Sequence, residues 1–293
     1  MAGLNKEVWI SQILEKFYPA SSFLRYVKDM SVLVENDKIN LAQAGVDPTV
    51  LVDNNAYPIP STTRTDSPIS LELRKLETEN TIIRRPDEIE HSYDKVESVI
   101  YGHRMALQTK SLELAAYAYA PVQDSADTPV VAVTGENNST TGKKRIRIED
   151  ILTLKRRFDN KDVPFEERYL VLHPSHVEDL ILLDTKVFKD ITDFKNGQPL
   201  RFAGFNLLQC RRNAFYRAGL KMAFNPATLA TDDFCSFAFH SAEVMKADGE
   251  LYMYETVDDP KERGTIIGFD KRFLALPLRN KAIGAIISQA NAA

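Results

Sequence analysis

Apolar and polar positions alternate with a helical period over one unusually long stretch, DEIEHSYDKVESVIYGHRMALQTKSLELAAYAYA, between Pro86 and Pro121. Ile89, Tyr93, Val96, Ile100, Leu107, Leu114 and Tyr117 follow a three-four stagger, broken only at His103 and Lys110. Asp87 with Glu90 reads as a capping box, with Pro86 just outside it. The pattern predicts one helix over 87–120, roughly 50 Å long at ~1.5 Å per residue. A rod of that length predicts an elongated subunit, and elongated subunits commonly exist to be tiled.

Other periods mark other elements. Near the N-terminus, Trp9, Ile10, Ile13, Leu14, Phe17 and Tyr18 make one apolar helical stripe ended by Pro19. It suits either a helix docked on its own core or an arm laid across a neighbouring subunit. In 31–86, two strand-like runs, SVLVENDKINLAQ and Ile69 to Arg74, flank a loop with four prolines, and the second run slips phase at Lys75-Leu76 as a bulge would make it do. So long a loop is usually functional or held by a partner. Its tip, carrying Tyr57, Pro58, Ile59 and Pro60, is expected to dock on a neighbour. Residues 147–235 read as a compact α/β unit: a helix with Ile151, Leu154 and Phe158, a buried strand from Arg168 to Leu172, a helix opened by Ser175 and Glu178 with Val177, Leu180 and Ile181 inward, and a strand from Leu200 to Gln209. The remainder returns to β structure: FCSFAFH, LYMYETV, the turn DDPKERG, TIIGF, RFLALPL and AIGAIIS.

Composition narrows the class. With 293 residues, 44% apolar and 27% charged, the chain is globular and large enough for two domains. A net charge of −4 does not advertise nucleic-acid binding. No apolar run reaches the ~18 residues of a membrane span, and the N-terminus lacks a signal-peptide pattern. Cys210 and Cys235 are too few for a disulfide framework, which points to folding in a reducing cytoplasm.

Candidate chemistry is sparse. The chain carries no dinucleotide fingerprint, phosphate loop, nucleophile elbow or H-E-x-x-H pair. His173 and His176 flank a proline and a helix start, with no third ligand nearby, so neither a metal nor a cofactor is expected. Together with Asp179 they are the place an enzyme's site would lie, if there were one. His91 and His103 read as contact or surface residues. The pairs Asp232-Asp233 and Asp258-Asp259 read as turn formers. Lys143, Lys144, Arg145 and Arg147 form a basic cluster that suits phosphates but reads first as a solvated face.

The order of these parts resembles the major capsid proteins of tailed bacteriophages, with their Hong Kong 97-type fold. Local stretches agree: RYLVLHPSHVEDLILLD, GQPLRFAGFNLLQ, and ETVDDPKERGTIIGF leading to RFLALPLRNKAIGAII. The resemblance implies an α+β chain divided into an N-terminal arm (1–30), an extended β-hairpin loop (31–86), a peripheral domain (87–146 and 236–293) with a spine helix 87–120, and an axial α/β domain (147–235). It implies a structural protein rather than an enzyme. Copies of itself, as hexamers and pentamers, would form an icosahedral virion shell around double-stranded DNA, assembled in the host cytoplasm. A separate scaffolding protein is implied, because the chain starts almost directly with its arm, and so are a portal and decoration proteins. An encapsulin-like compartment shell is the alternative. The best-known member joins a loop lysine to a neighbour's asparagine; here Lys38, Lys75 and Asn280 qualify by residue type alone.

Overall fold

The computed structural model describes residues 22–43, 53–55, 57–59, 67–84, 95–138, 142–183, 200–229 and 232–289. Helix α1, Lys95–Tyr119, is the long helix. The Asp87–Glu90 capping box lies outside the described residues. The apparent gaps in the stripe are filled by polar groups with partners. His103 is buried and its Nδ1 lies 2.9 Å from Thr78 Oγ1, while Lys110 donates to the Glu113 carboxylate at 2.8 Å.

The two halves of α1 rest on different sheets. Its first half packs Ile100 and Leu107 against Ile83, Met253, Ile267 and Phe269. These belong to a five-stranded sheet in which Val244–Asp259 pairs antiparallel with Gly264–Pro277. TIIGF and RFLALPL are thus one strand rather than two. Arg74–Glu77 and Thr81–Arg84 also pair with Gly264–Pro277. The phase slip at Lys75-Leu76 therefore marks a chain changing sheets, not a bulge within the hairpin. The hairpin partnership itself runs from Lys38↔Glu72 to Gln43↔Ser67. The run SVLVENDKINLAQ is broken at Asn36-Asp37, both with positive φ, into Val34–Glu35 and Lys38–Gln43. Two adjacent positive-φ residues between antiparallel strands suit the right-handed strand twist, and Asn and Asp tolerate that geometry.

The second half of α1 packs Leu114, Ala115, Ala116 and Tyr119 on an eight-stranded sheet, against Tyr169, Val171, Phe237 and Phe239. On the opposite face lie helix α2, Ile148–Asp159, through Ile151, Leu154 and Phe158, and helix α3, Pro174–Leu183, through Leu180. A sheet covered on both faces needs strands that are apolar throughout, which is why Arg168–Leu172 and Ile283–Ile287 are buried at every position. This sheet also takes Val130–Ala132 and Ile283–Ile287, from outside 147–235.

Three local expectations change. Leu200 to Gln209 is a hairpin, Leu200–Phe202 with Phe205–Gln209, turned at Ala203-Gly204 with φ of 49° and 83°. Helix α3 opens one residue earlier than expected, at Pro174. The His173 ring, not Ser175, caps it: Nδ1 accepts from the Ser175 backbone N–H at 3.3 Å. Ile181 faces outward, at 45% exposure.

Charged groups fasten the layers. Arg168 is fully buried, donating to Asp159 (2.7 Å) and to the Pro164 carbonyl (2.7 Å). The buried Lys271 pairs with Asp248, and Lys246 pairs with Asp248 (3.4 Å) and Asp29 (3.3 Å), tying the N-terminal segment to the five-stranded sheet. Breaking one partner of such a buried set costs about 3–5 kcal/mol.

At Gly284 a side chain would meet Phe158 Cε2 at 2.8 Å and Leu154 Cδ1 at 2.9 Å. The glycine lets α2 sit directly on its strand. Gly284→Val is expected to destabilise the subunit by about 1–3 kcal/mol through overpacking. Chemical denaturation checks this; an unchanged midpoint would mean that α2 moves aside without cost.

Candidate functional site

For a chain read as a building block, the site is its surface. Of the expected contact residues, Tyr57 (78% exposed), Pro58 and Ile59 (54%) stand in solvent. Pro60 lies outside the described residues, as do Trp9, Ile10, Ile13, Leu14 and Phe17 of the arm. The last part of the segment expected as the arm (1–30) is instead part of the subunit's own core: Phe23 and Leu24 are buried, and Phe23 packs edge-on to Phe237 at 5.3 Å between centroids.

Two apolar patches escaped the sequence expectations. Val32 (95% exposed) and Leu33 lie on the short 3-10 turn Ser31–Leu33. Tyr252 and Tyr254, rings in contact at 4.9 Å, face outward on Val244–Asp259, on the face turned away from α1. The signal for the tyrosines was present in LYMYETV: Met253 alternates with them and is buried under α1, so both faces of that strand are apolar. A strand that is apolar on both faces but covered on one advertises a contact.

His173 and His176 do come together, with ring centroids 6.3 Å apart. Their roles are internal. The Ser236 hydroxyl oxygen accepts the His173 backbone N–H at 2.9 Å and lies 2.6 Å from His176 Nδ1. The His173 ring stacks on Phe234 at 4.5 Å. Burial, with Lys143 nearby, lowers His173 to about 4; burial, then His173 and Lys143, lowers His176 to about 3. Asp179 is engaged with Asn138 Nδ2 (3.3 Å) and Arg145 (3.8 Å), and burial raises its carboxyl pKa. A buried, neutral Ser–His pair fastens a helix to a strand and offers substrate no approach. His103, expected as a contact or surface residue, is buried beside Thr78 and Phe269; Asp259 caps its turn by accepting the Lys261 N–H at 2.7 Å, as the sequence suggests.

The basic cluster is a solvated face only in part: Lys144, Arg145 and Arg147 are half-buried and Lys143 is not in solvent at all. Lys143 is buried, its ammonium 3.7 Å from the Phe234 ring centre and donating to the Asp232 carbonyl. Lys144 reaches Gln289 (3.2 Å), Arg145 reaches Asp179, and Arg147 lies 4.0 Å from Glu136. Its charges are directed into the chain rather than towards a phosphate. Among the cross-link candidates, Lys38 pairs with Glu72 at 2.8 Å, Lys75 pairs with Glu77 and Asp270, and Asn280 is exposed. Among the described residues no cluster of side chains could hold a metal ion.

No family model and no curated protein matches the sequence. Solved structures do match. The capsid of cyanophage P-SCSP1u superposes with a TM-score of 0.64 at 16% identity, covering 91% of this chain and 87% of that one. The capsid of Ralstonia phage GP4 gives 0.63 at 10% identity, covering 91% and 88%. A virus-like particle from Pyrococcus furiosus gives 0.59 at 10% identity, covering 96% and 99%. The chain has the Hong Kong 97-type capsid fold. Within that fold the α+β architecture stands as expected from the sequence; the long helix is described over Lys95–Tyr119, and the hairpin ladder spans 38–43 and 67–72 rather than reaching 86. No helix among the described residues is long and apolar enough to cross a membrane.

The buried histidines of this capsid fold make stability pH-dependent in one direction. Their folded pKa values lie below the ordinary 6.5, so the unfolded chain binds protons first as pH falls. Their contribution is complete above about pH 6.5 and is lost from there down towards pH 4. The slope is on the order of 1.4 kcal/mol per pH unit for each ring. The urea midpoint of the subunit is expected to be clearly lower at pH 5 than at pH 7.5, and His176→Asn should make the slope shallower, His173 and the buried His103 and His240 supplying the remainder. A midpoint indifferent to pH over this range would show that the rings are not buried neutral.

Proposed function

We propose that this chain is the major capsid protein of a tailed phage, a subunit that assembles as hexamers and pentamers into an icosahedral shell around double-stranded DNA. The observation that carries the reading is coverage: phage capsid structures match 91% of the chain in one superposition. The exposed apolar residues at Tyr57, Ile59, Val32 and Tyr252 support it, because a monomer gains nothing from them. Partners of the finished particle, namely a separate scaffolding protein, a portal and decoration proteins, belong to the same proposal. So does the division into arm, extended loop, peripheral and axial domains, with strands 130–132 and 283–287 added to the axial sheet. The role is structural; the histidines and carboxylates that could have made an active site are engaged in packing.

An encapsulin-like compartment is the second reading, favoured by the virus-like particle that matches 96% of this chain and is itself covered over 99%. The contents of particles separate the two: nuclease-protected double-stranded DNA for a phage head, a protein cargo for a compartment.

Two outcomes are expected. Purified chain, alone or with its scaffolding protein, forms shells by negative-stain microscopy; a stable monomer at high concentration under both conditions would sink the proposal. Replacing Trp9, Ile13 and Phe17 with Ser abolishes those shells while circular dichroism stays close to wild type. Global unfolding of that variant would instead assign the stripe to the subunit's own core.

A further inference from the structure

A cavity of about 430 Å³ opens between the second half of α1 and the segments flanking the strands Phe215–Arg217 and Leu220–Lys221. Small-molecule sites run from roughly 300 to 1,000 Å³, so it is large enough for one. Helix α1 contributes Glu113 and Tyr117, the segment before the first strand contributes Arg211, Arg212 and Asn213, and Phe215 and Phe224 complete the wall. The fold holds these walls in place. The Met222 N–H donates to the Phe215 carbonyl at 2.9 Å, the Lys221 N–H donates to the Val122 carbonyl at 2.8 Å, and Asn225 turns the chain with a φ of 57°. Every element belongs to one subunit, so the site does not depend on the shell-forming reading.

Three kinds of chemistry meet in it. Tyr117, Phe215 and Phe224 are all half-buried, and the Tyr117 and Phe224 rings stand edge to face at 5.5 Å between centroids. Rings that line a cavity without being covered suit a flat ligand. The rim is cationic. Arg211 and Arg212 are exposed, and the Lys110 ammonium lies 5.1 Å from the Phe224 ring centre. The carboxylate in the wall, Glu113, is already engaged by Arg212 and by Lys110, so three cations face one anion. The third element is Asn213, only 5% exposed. Its Nδ2 donates to the Val171 (3.3 Å) and Cys235 (2.8 Å) carbonyls, which fixes the amide's orientation. Asn213 Oδ1 is thereby left a buried acceptor with no partner. Leaving a buried acceptor bare is costly, and one in a cavity wall calls for a donor from outside the chain.

A phosphate or carboxylate alone would use the arginines and leave the rings and the amide idle, and an apolar ligand would leave the arginines idle. A nucleotide uses all three, because it joins an anion to a flat ring whose edge carries N–H donors. We propose that this cavity is a nucleotide site: the phosphate lies on Arg211 and Arg212, the base lies among Tyr117, Phe215 and Phe224, and an N–H of the base answers Asn213 Oδ1. A free mononucleotide and an unpaired nucleotide of a DNA strand share this chemistry. A base inside a duplex does not offer it, since stacking covers its faces and pairing uses its edge.

Calorimetric titration of the full-length chain tests it, with adenosine monophosphate, a short single-stranded DNA, the same DNA as a blunt duplex, and inorganic phosphate as probes. Saturable binding of the mononucleotide is expected, about tenfold or more tighter than phosphate, the difference being what the base adds by stacking. A single strand that binds tighter than the mononucleotide would identify DNA as the source, and equal binding would identify the free nucleotide. Arg211→Gln alters an exposed side chain and should weaken every anionic probe about fivefold or more. Phe224→Leu keeps apolar volume but removes the ring; it should weaken the mononucleotide about fivefold or more and leave phosphate unaffected. Both variants should melt with the wild type, and if Phe224→Leu does not, Arg211→Gln still decides. Absence of heat from both the mononucleotide and the single strand would overturn the proposal. So would phosphate binding as tightly as the nucleotide, which would leave an anion site only. Duplex binding equal to that of the single strand and indifferent to Phe224→Leu would overturn it too, because backbone charge alone would then account for the contact.

Discussion

The fold depends on one junction, the end of α1, where the two sheets are joined. Tyr119 is fully buried there, 5.7 Å from Phe239 and 6.2 Å from Phe23 between ring centroids, and its hydroxyl donates to the Met245 carbonyl of the five-stranded sheet at 3.0 Å. One side chain thus touches the N-terminal segment, the eight-stranded sheet and the five-stranded sheet. Such aromatic contacts add about 0.5–1.5 kcal/mol each beyond their area. Orphan carbonyls at the helix end are met by a lysine. Lys221 donates to the Tyr117 (3.1 Å) and Ala120 (2.6 Å) carbonyls although burial draws its pKa down to about 8. Tyr216 donates to Pro121 beside it. The helix end is therefore fixed by backbone acceptors as well as by apolar burial.

From this junction the rest follows as a division between faces that are closed and faces that are left open. The eight-stranded sheet is closed on both sides, and the polar groups inside it answer one another: Ser236 with the two histidines, Lys143 with Asp232 and the Phe234 ring, Arg168 with Asp159. The five-stranded sheet is closed by α1 on one side and only partly on the other, where Val34, Ile39 and Leu71 of the hairpin strands cover Met245 and Ala247. Its other face carries Tyr252 and Tyr254, and the hairpin beside it holds its apolar tip in water. A subunit that is to fold alone and then associate needs this asymmetry. The closed sheet gives it a stable body, and the open face gives it something to gain from neighbours.

How much of this was legible in the sequence depends on whether local period or distant pairing decided the element. The long helix, the buried strand at 168–172 and the paired runs around the proline-rich loop were visible because their signals are local. The switch of 74–84 from the hairpin to the five-stranded sheet was not, since the phase slip at Lys75-Leu76 reads as a bulge within the hairpin until the distant strand Gly264–Pro277 is known to pair there. The turns at Asn36-Asp37 and Ala203-Gly204 were missed because each is only two residues long and strand-like residues resume directly after it. The basic cluster misled for a different reason: whether a lysine faces water or an aromatic ring is set by Phe234, some ninety residues away. Of the candidate contact residues, the tip was legible as turn-rich and apolar. The outward tyrosines were overlooked because LYMYETV reads equally well as a strand buried on both faces.

The physics of assembly sets how strong the open surfaces should be. Immobilising a subunit costs on the order of 4–15 kcal/mol per association event. Burial of apolar area returns roughly 25 cal/mol per Å². A single patch such as Tyr252 with Tyr254 would fall short of that cost, and a single very strong patch would trap subunits in wrong partnerships before a shell could close. Several modest patches, set at the hairpin tip, the 31–33 turn and the outer sheet face, reach the required total only when all are engaged at once. Misplaced subunits then engage too few of them to stay bound. Under the shell-forming function proposed above, weak and scattered apolar residues would let errors dissociate while correct contacts accumulate.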